Sequence, residues 1–146
     1  MEVQKNQTME TMLVKNIRES QAKITTKPIV YYWWFKKAAI VKLFSFTQLD
    51  LGKLKFKIFE GDSYVLLYVG KGKNGHARLV DYHILDNNNF HRLKTVLNGR
   101  LSSLRQTLCG LLKIQMSKGK QEINDFMDEN CLVEWKCVSE ENLKTT

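Results

Sequence analysis

One proline, Pro28, in 146 residues leaves almost every other position open to helix or strand, since only the proline ring fixes φ and removes an N–H donor. Cysteine is scarce too: Cys109, Cys131 and Cys137. An odd count with no CxxC spacing and no histidine close by argues against a disulfide scaffold or a structural zinc site. It fits a reducing, cytoplasmic setting in which the thiols are small core residues. Long apolar runs are missing. The richest stretch, 28–46, is broken by Lys36, Lys37 and Lys42, too soon for a membrane span. Residues 1–27 lack the basic-then-apolar order of a signal peptide, and the chain has no internal repeat or low-complexity tract. Acid is in deficit: 15 Asp and Glu against 23 Lys and Arg leave a net charge of +8. That charge suits a polyanionic partner, a membrane surface, or simply a soluble basic exterior.

With 43% apolar and 26% charged residues, the chain has the makings of one soluble domain with a real core. In the polar segment 1–27, Met9, Met12, Leu13 and Ile17 recur at helical spacing behind Thr8, a candidate N-cap, which predicts a helical leader. The body, 28–146, begins at Pro28. Ile29–Phe35 is aromatic and β-branched throughout, as suits a strand buried on both faces. Ala38–Phe46 fits either a helix or a second strand, and 48–53 a turn. In Leu54–Phe59, Leu54, Phe56 and Ile58 alternate with Lys53, Lys55 and Lys57, the pattern of a half-exposed strand. Glu60-Gly61-Asp62 turns the chain into a strand at Tyr64–Val69. Asn74 caps a helix reaching Ile84, with Leu79 and Tyr82 or His83 inward. Asp86–Asn89 is a loop before a helix carrying Phe90, Leu93, Val96 and Leu97, closed at Asn98-Gly99. Ser103 and Gln106 make a capping box for a stronger helix with Leu104, Leu108, Leu111, Leu112 and Met116 on one face. After a loop at 117–120, Gln121–Asn130 reads as a helix, Leu132–Val138 as the last strand, and Ser139-Glu140-Glu141 as the start of another helix. The sum is a mixed α/β domain, a small, partly antiparallel central sheet flanked by helices.

The stretch Tyr68-Val69-Gly70-Lys71-Gly72-Lys73-Asn74-Gly75-His76-Ala77-Arg78 carries the chemistry. A strand brings a phenol to the edge of a sheet. A glycine-rich turn, with no Cβ in the way, then lets backbone approach a ligand, and its bare N–H groups attract anions. A short helix returns a guanidinium able to hold two phosphate oxygens at once. Lys71, Lys73 and Arg78 supply a field that lowers the pKa of a neighbouring phenol and fits it for proton transfer. Tyrosine, lysine and arginine around an anion-friendly turn suggest phosphate chemistry.

Tyr68-Val69-Gly70-Lys71, with Arg78 ten residues after Tyr68 and Tyr82 four beyond that, resembles the second half of the GIY-YIG nuclease signature; Ile29-Val30-Tyr31 resembles the first half. The best-matched segment is Tyr64–His83, while Leu104–Leu112 and Leu132–Val138 resemble elements of one bacterial branch. The resemblance implies a DNA endonuclease dependent on Mg2+ or Mn2+. In it Tyr31 and Tyr68 would position or deprotonate the water, Arg78 would steady the transition state, and Lys71 and Tyr82 would support them. Tyr32 competes with Tyr31, because strand alternation sends only one of them to the active face. Gly70, Gly72, Lys73 and His76 on the turn, with Arg92, Lys94 and Arg105 beyond it, would hold DNA. The family's metal ligand is a glutamate on the helix after the third core strand, a place near or just past Thr146; Glu141, in that helix's first turn, is the candidate at hand. Either Glu141 serves, or the chain is incomplete, or the site is inactive. The gap from Tyr31 to Tyr68 exceeds a tight hairpin, so an insertion containing Leu54–Phe59 lies between them.

Other readings compete. Glu134-Trp135-Lys136 has the E-x-K form of another restriction-nuclease class and would need Asp81 or Asp86 upstream. Gly70–Gly75 lacks the Gly-Lys-Ser/Thr ending of a P-loop. His83, about one turn beyond Arg78, offers an alternative proton acceptor, but at a helix end it reads rather as a surface residue. Lys71, Lys73, Arg78, Arg92, Lys94, Arg100 and Arg105 make either a phosphate-binding field or a solvated surface. A catalytically inactive DNA-binding module and a basic protein-interaction domain are therefore the alternatives to an endonuclease.

Overall fold

Ile29–Lys36 (β2) is the middle strand of the computed structural model, which describes residues 9–20, 24–43, 54–85, 103–115 and 119–145. Ile29, Val30, Tyr31, Trp33, Trp34 and Phe35 are all buried, so β2 is covered on both faces as its composition predicts. It pairs antiparallel with Asp62–Gly72 (β4) on one side and with Cys131–Cys137 (β5) on the other. Phe56–Phe59 (β3) adds an edge beyond β4, and Glu10–Leu13 (β1) adds the opposite edge beyond β5. The sheet thus has five strands in the order β1-β5-β2-β4-β3, and all its described pairings are antiparallel.

Helices complete a mixed α/β fold: Val14–Ser20 (α1), Lys37–Leu43 (α2), His76–Ile84 (α3), Ser103–Leu112 (α4), Lys120–Asn130 (α5) and Glu140–Thr145 (α6). Ile17, Ile40, Leu79, Ile84, Leu108, Ile123 and Met127 join Tyr31, Trp33 and Phe35 in the main core. Burying a side chain such as Phe35 stabilises the fold by about 1.5–3 kcal/mol. The other face of the sheet holds a smaller cluster of Trp34, Tyr64 and Leu132, flanked by Tyr32 and Leu66. No helix among the described residues is long and apolar enough to cross a membrane.

Several expectations change. Met12 and Leu13 belong to β1, not to a leader helix, and among the described residues of that segment only Val14–Ser20 is helical. Four residues satisfy either periodicity, and the open edge of β5 decides between them. Thr8, Phe90–Leu97, Asn98-Gly99 and Met116 lie outside the described residues. Of Ala38–Phe46, left open between helix and strand, the described part is helical (Lys37–Leu43), and α2 and β3 both lie in the insertion between β2 and β4. Glu60 (φ 49°) and Gly61 (φ 86°) make the two-residue hairpin turn, both in the left-handed region that such turns need.

In β3 the sides are reversed from the usual apolar-inside arrangement: Phe56 and Ile58 are 46% and 70% exposed, while Lys57 is partly buried. The cause is Glu134 on β5, itself 7% exposed. Its carboxylate accepts from Trp34 Nε1 at 2.8 Å and Thr11 Oγ1 at 3.3 Å, and it pairs with Lys57. A buried carboxylate is tolerated only with donors and a cation to hand. Lys57 provides the charge, its ammonium also lying 5.2 Å above the Trp34 ring. Glu134 is committed to this network, which closes the E-x-K reading.

Candidate active site

Three strand ends meet at one end of the sheet, where Ile29 opposite Gly72 and Cys137 places the start of β2 beside the ends of β4 and β5. β4 runs through Gly72, so Gly70 and Gly72 are strand residues and the turn itself is only Lys73–Gly75. Their lack of a side chain has a steric use. A Cβ on Gly70 would stand 2.4 Å from both Cζ and Oη of Tyr31, and one on Gly72 would stand 2.7 Å from Cβ of Arg78. The Tyr31 phenol and the Arg78 side chain therefore lie directly over the bare backbone of β4.

Register supplies the partner ring. Tyr31 faces Gly70, and Trp33 faces Tyr68, on the same side of the sheet. The pairing slips between Trp33 and Trp34, which leaves Leu67 as an extra residue in β4, a bulge of the kind that re-aims neighbouring side chains. The rings of Tyr31 and Tyr68 are 6.5 Å apart between centroids. Tyr32 packs in the cluster on the opposite face, so Tyr31 is the tyrosine that shares a side with Tyr68. Alternation along β4 also puts Lys71, opposite Val30, on the face away from Gly70 and Gly72. That is a correction to its expected place beside the tyrosines.

The turn is stapled to the segment before β2. Gly75 N–H donates to Lys27 O and His76 N–H to Thr25 O, both at 2.9 Å, and Ala77 N–H donates to Asn74 Oδ1 at 3.0 Å. The N–H groups of Gly75, His76 and Ala77 are therefore not bare, which narrows the expected anion cradle. His76 is committed as well: its Nδ1 accepts the Ile24 N–H at 3.2 Å, and its Nε2 lies 3.8 Å from Asp81. It is a staple of the turn rather than the phosphate contact expected.

α3 is wound as a π-helix, with the Leu85 N–H reaching back five residues to Val80 O at 2.7 Å. Arg78 is exposed, its guanidinium carbon 4.9 Å from the centroid of the Tyr82 ring, the cation–π stack expected of i and i+4 residues. His83, expected at the surface, is 1% exposed. Its Nε2 is 2.7 Å from Tyr31 Oη, and its ring meets Tyr31, Tyr68 and Tyr82 at 5.4, 5.7 and 5.0 Å between centroids. In an α-helix, at 3.6 residues per turn, the residue five after Arg78 points about 140° away from it. The wider helix brings it round to the rings, where the sequence reading favours the surface.

Tyr31 is 2% exposed. Burial, then the neighbouring Tyr68 hydroxyl, pushes its pKa well above the ordinary tyrosine value, and Arg78 only partly opposes this. The expected lowering by nearby cations does not occur for this phenol. Burial, then Arg78 and Arg105, lowers His83 to about 3, so its imidazole is neutral at physiological pH. Arg105, expected to face DNA, is wholly buried: Nε donates to His83 O at 2.7 Å, and Nη2 to Ile84 O and Asn124 Oδ1 at 2.6 and 2.7 Å. Arg92, Lys94 and Arg100 fall outside the described residues.

Beside the rings opens a depression of about 320 Å³ lined by Gly72, Lys73, Asn74, Ala77, Arg78 and Tyr82. With the planar fork of Arg78 and the ammonium of Lys73 in its wall, it can receive a tetrahedral anion such as a phosphate diester. None of its lining residues is a carboxylate, and no group of three or more His, Cys, Asp or Glu among the described residues could hold a metal ion. Glu141 is exposed in the first turn of α6, four residues beyond the end of β5. The described donors thus do not assemble a metal site.

The family model of the GIY-YIG catalytic domain matches residues 29–146. Neither the curated proteins nor the solved structures compared with the chain give a match.

Proposed function

This chain belongs to the GIY-YIG catalytic domain family, and on that footing we propose that it is an endonuclease hydrolysing DNA phosphodiester bonds at the end of β4. Family membership supports nuclease-type activity. The observation that carries the assignment to these residues is the convergence of Tyr31, Tyr68, Arg78 and Tyr82, with Arg78 laid over Gly72 and stacked on Tyr82. Arg78 takes two non-bridging oxygens of the phosphate and stabilises the charge that grows on them. Lys73 adds a screening charge at the rim, while the Tyr68 and Tyr82 hydroxyls order the substrate and the attacking water. Tyr31, held protonated, acts as a hydrogen-bonding group and not as the base. The family implies a divalent ion, Mg2+ or Mn2+; Glu141 is the nearest candidate in sequence, and a chelator added to the assay asks whether cleavage requires the ion.

The test is nicking of supercoiled plasmid in Mg2+ or Mn2+. Arg78→Ala should lose about 100- to 1,000-fold in rate, the usual scale for one oxyanion-stabilising group, and Tyr68→Phe should also be slowed. Equal rates for wild type and Arg78→Ala would remove this site from the reaction. Intact plasmid retarded in gels, with steep loss in salt, would leave a DNA-binding module, a reading that the absence of carboxylates from the depression favours.

A further inference from the structure

We propose that His83 is a positioning residue for Tyr31, accepting a hydrogen bond from its hydroxyl so that the phenolic oxygen presents only lone pairs toward the Tyr68 and Arg78 side. This rests on the reading of that side as the cleavage site. A phenol has one proton, and a buried hydroxyl without an acceptor is costly. His83 Nε2, 2.7 Å from Tyr31 Oη, is an acceptor in the neutral tautomer protonated at Nδ1. Packing alone does not call for a histidine here. Its ring sits among Tyr31, Trp33, Tyr68 and Tyr82, where a phenylalanine would fill the space without burying polar nitrogen.

The backbone that carries the imidazole is also held. Arg105 grips His83 O at 2.7 Å, and Ile84 O receives Arg105 Nη2 at 2.6 Å and Arg18 Nη1 at 2.5 Å. Arg18 is itself anchored on Asp128 at 2.8 Å. On its other side, the Tyr31 hydroxyl is confined by the bare backbone of Gly70. The oxygen therefore has a fixed position and a fixed proton direction, the two properties needed to orient a water for in-line attack. Burial and two guanidinium charges keep the imidazole neutral, so it fixes the proton and does not carry it away.

His83→Phe keeps the aromatic filling and removes the acceptor, while His83→Gln keeps an acceptor. In plasmid nicking, His83→Phe should lower kcat by about 100-fold with KM for DNA unchanged, within the range of a positioned proton-handling group. His83→Gln should recover most of that loss, and in a Tyr31→Phe background His83→Phe should cost nothing further. Loss in KM alone, no recovery with glutamine, or full additivity with Tyr31→Phe would each overturn the proposal. An arm independent of activity uses protein labelled with 13Cζ-tyrosine, the Tyr31 signal assigned through Tyr31→Phe. That signal should move in His83→Phe and return in His83→Gln; an unmoved signal refutes the hydrogen bond whether or not the wild type cleaves. Should His83→Phe not fold, His83→Leu, equally unable to accept, takes its place. A wild type that never nicks would defeat the endonuclease reading, while the tyrosine signal would still decide the pairing.

Discussion

Gly70 and Gly110 make a matched pair of glycines with opposite expectations. A methyl on Gly70 would collide with the Tyr31 ring at 2.4 Å, whereas nothing lies within 4 Å of one on Gly110, exposed in α4. Gly70→Ala should therefore cost about 1–3 kcal/mol through overpacking and suppress nicking. Gly110→Ala should stabilise by about 0.5–1 kcal/mol and leave nicking untouched. Thermal unfolding of the two variants checks both signs. His83 adds a pH dependence. Its native pKa of about 3 lies below its ordinary 6.5, so the unfolded chain binds the proton more readily. Its contribution is complete above pH 6.5 and is lost as the pH falls toward 3, by at most about 1.4 kcal/mol per pH unit. Urea unfolding at pH 7.5 and 5 should show a larger acid loss in wild type than in His83→Gln; equal losses would mean that the imidazole is not held neutral. Tyr31, shifted upward, contributes in the opposite window: its stabilisation is present below pH 10 and is lost above it.

At the scale of elements, α3 is the part whose shape matters most, because Arg78, Tyr82 and His83 all project from it. Its last carbonyls are gripped by Arg105 from α4 and Arg18 from α1. Arg105→Met, close in length and uncharged, would leave the His83 carbonyl and the Asn124 amide without that donor inside the core. The expected penalty is about 1–3 kcal/mol for each buried group left unsatisfied, seen as a lower Tm together with reduced nicking. A variant as stable and as active as wild type would mean that the clamp is dispensable. Sequence spacing alone placed Arg105 among the DNA-facing cations, because Ser103–Leu112 reads as an amphipathic helix whichever partner its arginine finds. β1 illustrates the same limit: Glu10–Leu13 has no period of its own long enough to compete with the edge of β5. β2, in contrast, was legible from Ile29 to Phe35, since seven aromatic and β-branched side chains in a row fit only a covered strand, and the strand adds only Lys36 to that reading.

Across the whole molecule, charge is sorted along β4. Asp62 and Glu60 lie at its start, beside a cleft that Asp125, Asp128 and Glu129 also line, while Lys73 and Arg78 lie past its other end. A polyanion should accordingly approach the glycine end, and binding should weaken steeply with salt. Arg78→Ala should lower the slope of log affinity against log salt by about 1, the share of a single phosphate contact; an unchanged slope would place the phosphates elsewhere. The sequence by itself determined the class of the fold, the strands read at Ile29–Phe35 and Leu132–Val138, each within one residue of the observed ends, and the spacing from Tyr68 to Arg78, because composition, periodicity and motif spacing are properties of local chain. Only the tertiary structure decided that Tyr31 and not Tyr32 meets Tyr68, that Lys71 lies on the other face, that His76 and Arg105 turn to other duties, and that His83 joins the rings. Those outcomes depend on cross-strand register, on the wider winding of α3 and on which buried donor finds which acceptor, and each is set by residues far apart in the chain.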